Sequence, residues 1–136
     1  MSVETDVRAY LLSDATVGAL IGTRMYARVL PQNVVYPAIS YYRASTVENR
    51  DLSGPGGKER ARITINGFAA TYVEAKQLAA AVKARINGFA GTVGQTKITH
   101  VHLENEMDVN EEEAGEVGSS GVYGVMQDFI VAHHNV

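Results

Sequence analysis

The chain contains no cysteine, so disulfides, thiolate nucleophiles and cysteine-ligated metals are excluded. No apolar run approaches the roughly 18 residues that cross a bilayer as a helix. The opening residues, MSVETDVRAY, lack the basic and apolar regions of a secretory signal. The expectation is a soluble chain, free of membrane, made in a cytoplasm. No Lys or Arg occurs after Lys97. Residues 1–97 hold 12 basic and 7 acidic residues, a net +5, whereas residues 98–136 hold 8 acids, a net −8. Such a split marks either an electrostatic interface or a solvated acidic loop. Catalytic signatures are missing too. There is no Gly-x-Ser-x-Gly elbow and no His-Glu-x-x-His. Gly54-Pro55-Gly56-Gly57-Lys58 lacks the spacing of a phosphate-binding loop, and Lys58 leads into a strand pattern instead of a helix.

What is present is scaffold. The clearest stretch reads RARITINGFAATYVEAKQLAAAVKARING. Ala61, Ile63 and Ile65 alternate with Arg60, Arg62, Thr64 and Asn66, the period of a half-buried strand. Thr71 and Glu74 form a capping box, in which the hydroxyl and the carboxylate satisfy backbone amides reciprocally. Ala75, Leu78, Ala79, Val82 and Ile86 then share one helical face, and Gly88 is placed to end the helix in a left-handed conformation.

Upstream, Ser2 is positioned to cap a first helix whose stripe is Val3, Val7, Tyr10 and Leu11. Asp14 caps a second helix over residues 15–21, ended by Gly22. Strands are expected over 25–30 and 38–45, the latter opened by Pro37, where a missing donor is tolerated. Residues 47–59 read as a loop, because Ser53-Gly54-Pro55-Gly56-Gly57 suits no element interior. Downstream, 89–95 is a Gly-rich connection, 97–107 a strand and 108–121 a second long loop carrying Glu111, Glu112, Glu113 and Glu116. The last strand, 122–132, is apolar on both faces, with Val125, Phe129 and Val131 on one side and Met126 and Ile130 on the other. That pattern places it centrally or under another subunit.

The order α, α, β, β, β, α, β, β gives an α+β fold in a single domain, 1–136. One long helix and a short N-terminal helical segment pack on a mostly antiparallel sheet. The two long loops, 47–59 and 108–121, exceed the usual connection length and are functional or disordered.

Three chemical readings compete with a structural role. His100, His102 and Glu104 share a strand face and, with His133 or His134, suit a metal site, which would make the chain a small metal- or ligand-binding enzyme. The plain alternative is a polar outer strand face. The acidic residues suggest general acid–base work only if buried, and their Gly-rich setting argues for solvation. Arg60, Arg62 and Lys58 with Tyr41 and Tyr42 offer phosphate contacts and stacking, but the basic residues are scattered, so no sequence-specific nucleic-acid binding is expected.

Taken together, DVRAYLLSDATVGALIGTRMYARVLPQNVVYPAISYYR, the RARITING block and the closing GVYGVMQDFIVAH resemble the small tail-completion, or tail-terminator, proteins of long-tailed phages and gene transfer agents. The resemblance covers almost the whole chain; the acidic insertion over 110–120 departs from it. It implies a non-enzymatic virion protein without cofactor, forming a homo-hexameric ring at the head-proximal end of the tail tube. Its partners would be its own copies, the tube protein and the neck protein, with the genome passing through the ring. A neck protein on the portal side is the alternative. Candidate interface residues are Arg24, Arg28, Arg60 and Arg62 on one side and Glu104, Glu106, Glu111, Glu112, Glu113 and Glu116 on the other.

Overall fold

The computed structural model describes residues 3–48, 59–109 and 122–135. The expected cap at Ser2, the segment 49–58 and the segment 110–121 with its four glutamates lie outside the described residues.

Three helices and six strands follow in the order α1 (Val3–Leu12), α2 (Ala15–Ile21), β1 (Met25–Ala27), β2 (Ala38–Glu48), β3 (Glu59–Ala69), α3 (Tyr72–Ile86), β4 (Gly91–Val93), β5 (Thr96–Val109) and β6 (Tyr123–Asn135). Local chemistry sets the helix ends. The Asp14 carboxylate accepts from the Val17 amide at 3.1 Å, and Gly22 closes α2 with φ 59°. Thr71 accepts from the Glu74 amide at 3.1 Å, and Gly88 follows α3 with φ 84°. Both are conformations in which glycine carries no Cβ penalty.

All strands join one sheet in the order β1-β2-β3-β6-β5-β4. The α+β expectation holds, but the sheet is mixed: β1 runs parallel to β2, and the other pairings are antiparallel. The helical part is spread over three helices of 10, 7 and 15 residues. β1 stops at Ala27, short of the expected residue 30, where Arg28 takes φ 70°. β4 was not expected; it is a 3-residue strand inside the Gly-rich connection.

β6 is central, between β3 and β5, as its two apolar faces imply. The helices cover one face of the sheet. There Ile63, Ile65, Leu78, Val82, Ile86, Val101, Phe129 and Val131 share one buried core with Val7, Leu11, Val17 and Ile21, and Leu103 packs against it. The opposite, outer face holds Met126 and Ile130 half-buried. Thr64 departs from simple alternation. It lies on this outer face yet is 2% exposed, and its hydroxyl is satisfied by donating to Asp128 at 2.7 Å on the adjacent strand.

Candidate functional site

The four candidate arginines fall into two places. Arg24 and Arg28 flank β1 at one edge of the sheet, while Arg60 and Arg62 lie on β3 near its middle. The Arg24 guanidinium donates to the Pro37 carbonyl at 2.9 Å and the Leu20 carbonyl at 3.2 Å. Those bonds fix it without neutralising its charge. Arg28 and Arg60 are exposed. Arg62 donates to Glu104 at 2.9 Å and lies 4.0 Å from Asp128.

The described candidate acids, Glu104 and Glu106, lie on β5, toward the other edge of the sheet, and Asp108 joins them there. Glu104 sits where the β5–β6 register shifts between Leu103 and Asn105. That bulge changes which residues face inward. His100 and His102 share the outer face, their ring centroids 5.4 Å apart, and on that face Glu104 is taken up by Arg62. Among the described residues no group of three or more His, Cys, Asp or Glu is placed to hold a metal ion. His133 faces the core instead of joining His100 and His102. It is 8% exposed, and neither ring nitrogen has a hydrogen-bond partner among the described residues. Burial lowers its pKa.

Glu106 accepts from Gln127 at 2.8 Å. Gln127 is a junction that sequence reasoning missed: the same amide nitrogen donates to the Ala79 carbonyl of α3 at 2.9 Å, tying helix, central strand and edge together. The available signal was a lone amide between Val125 and Phe129 in an otherwise apolar face. Asp108 was also missed as a fixed residue. It accepts from Lys76 at 2.6 Å and from the Tyr72 hydroxyl at 2.7 Å. These hydrogen bonds hold the Asp108 carboxyl below its ordinary range and raise the Lys76 ammonium. Nothing local in the sequence links positions 32 residues apart.

The arrangement is therefore one of surfaces. One edge is basic around β1, and the other is acidic along the second half of β5. No helix among the described residues is long and apolar enough to cross a membrane.

A family model described as tail completion protein gp17 matches residues 5–133. No curated protein matches. Among solved structures, a chain from the structure titled "Virion of native gene transfer agent (GTA) particle" has the same fold. The TM-score is 0.73 over 98% of this chain and 98% of that one, at 18% identity.

Proposed function

The chain belongs to the gp17 tail completion family, whose role is structural, in phage tail assembly, and we propose that it acts there as a ring capping the head-proximal end of the tail tube. The ring is a homo-hexamer. It ends tube polymerisation, offers the docking surface for the neck and filled capsid, and lets the genome pass through its channel. The protein resides in the virion and works without a cofactor or catalytic residue.

The observation that carries this reading is the family match, which spans residues 5–133 of 136. A fold shared with a chain of a gene transfer agent virion agrees with it. The surface agrees as well. A ring needs two different patches on each subunit that meet head to tail, and this sheet has a basic edge and an acidic edge on opposite sides.

The test is particle morphology when the protein is withheld. Tubes of uncontrolled length, with heads unattached, are expected, and supplying the chain should restore uniform joined tails. Tubes of normal length that merely fail to join heads would overturn capping and favour the neck position.

A further inference from the structure

The two edges of the sheet are complementary in level, direction and charge. This inference rests on the ring reading and concerns how the ring closes. At one edge, β1 spans 3 residues and pairs only with Ile39, Ser40 and Tyr41 of β2. At the other edge, β4 pairs only with Thr96, Lys97 and Ile98 of β5. Further along β5, the Val101 carbonyl accepts from the Gly88 amide at 2.7 Å, and the Leu103 amide donates to Asn87 at 2.8 Å. From 104 to 109 that edge has no strand beside it among the described residues. An unpaired strand edge of about 20 Å, at ~3.3 Å per residue, is a template for another strand.

The register shows which strand fits. Tyr26 pairs with Ser40, Ser40 with Asn66, Asn66 with Met126 and Met126 with Met107. Likewise Met25 lies level with Asp108, and Ala27 with Glu106. A neighbour generated by rotation about an axis along the strands thus brings its β1 beside the open stretch without sliding. Direction also agrees. β1 is parallel to β2, and three antiparallel steps separate β2 from β5, so β1 runs opposite to β5. Charge agrees in turn. Arg24 and Arg28 flank β1, and no carboxylate pairs with either among the described residues. The open stretch carries Glu104, Glu106 and Asp108; Arg62 and Lys76 take two of these, and no cation is paired with Glu106.

We infer that β1 of one copy adds as an antiparallel strand to residues 104–109 of the next copy. Backbone hydrogen bonds supply adhesion, and the Arg24 and Arg28 charges against Glu106 set register. The contact is heterologous, so it propagates around a ring instead of stopping at a dimer.

Because the chain has no cysteine, disulfide trapping reads this contact cleanly. Tyr26→Cys and Met107→Cys are made separately, mixed, and oxidised mildly, both in purified protein and in assembled particles. A species at twice the chain mass is expected in the mixture and in neither variant alone, and both substitutions on one chain should give a ladder of multiples. Cross-linking of Tyr26→Cys to itself would mean a two-fold contact and overturn the proposal. Rings or joined particles without a mixed disulfide would overturn the edge pairing and leave the ring reading standing. Absence of both rings and mixed dimers, in particles that contain the protein, would overturn both. A charge exchange covers the case of a cysteine variant that does not fold. Arg28→Glu and Glu106→Arg should each cut ring yield by about tenfold or more, as like charges meet, and together restore it. Failure of the pair to restore ring yield counts against the contact.

Discussion

Arg62 on β3 reaches past the central strand to Glu104 in the β5 bulge, Nη2 donating to Oε1 at 2.9 Å. Two residues of opposite sign, far apart in sequence, are thereby neutralised inside one subunit. Their side chains remain 35% and 41% exposed, so solvent screens the pair. Arg62→Ala should lower stability by only about 0–1 kcal/mol in urea unfolding. A loss above about 2 kcal/mol would show that the Arg62 stem, not its charge, packs the outer face.

Leu78 is fully buried, and a Cβ at Gly67 would sit 3.0 Å from its Cδ2. Leu78→Ala should cost about 2–5 kcal/mol. Gly67→Ala alone should cost about 1–3 kcal/mol by overpacking. In the Leu78→Ala background the added methyl meets free space, so its cost should vanish. A double-mutant cycle that is additive within about 0.5 kcal/mol would contradict this contact.

These local facts show how much the sequence disclosed. Asp14, Thr71 and Glu74 announced two helix starts, because a cap is made within four residues. The alternation of Ala61, Ile63 and Ile65 announced β3, and two-sided apolarity placed β6 centrally. The parallel β1–β2 pairing was not legible, since pairing direction depends on where the chain returns after Pro31 and Pro37. β4 offered only Gly91, Thr92 and Val93, too few residues to show a period. The charge split was legible as composition. Its division into pairs such as Arg62–Glu104 and Lys76–Asp108 was not, because a bulge between Leu103 and Asn105 redirects the acids.

Asp6 ties the first helix to the far edge of the sheet. It is 2% exposed and accepts from the equally buried Thr96 hydroxyl at 2.5 Å. Thr96→Val keeps the shape and removes the donor, leaving a buried carboxylate short of a bond. The expected loss is about 1–3 kcal/mol, with Thr96→Ser much milder. Gly94→Ala should also destabilise, since its Cβ would lie 2.7 Å from Asp6 Oδ1 at a backbone φ of +59°. Equal unfolding midpoints for Thr96→Val and Thr96→Ser would show that the hydroxyl contributes nothing.

His133 makes stability pH-dependent. Burial lowers its pKa; Glu59 on β3 and Glu4 on α1 pull it up, while Arg43 on β2 and the neighbouring His134 push it down, and burial outweighs them. Both ring nitrogens lack a partner among the described residues, so a second proton would enter a site with no acceptor for it. The unfolded chain, with an ordinary histidine, binds that proton first as pH falls. The unfolded state therefore holds more protons between its own pKa, about 6.5, and the lower folded value. Stability from this group is complete above that unfolded pKa and is lost as pH drops below it, at no more than about 1.4 kcal/mol per pH unit for one proton. His133→Phe keeps a planar ring at the same buried position and removes the titration. Unfolding free energies of the two proteins, measured from pH 8 down to pH 5, should show the parent losing more toward acid than the variant, so that their difference shifts in the variant's favour. Parallel curves over that range would show that His133 keeps its ordinary affinity for protons, with water reaching the ring despite its burial.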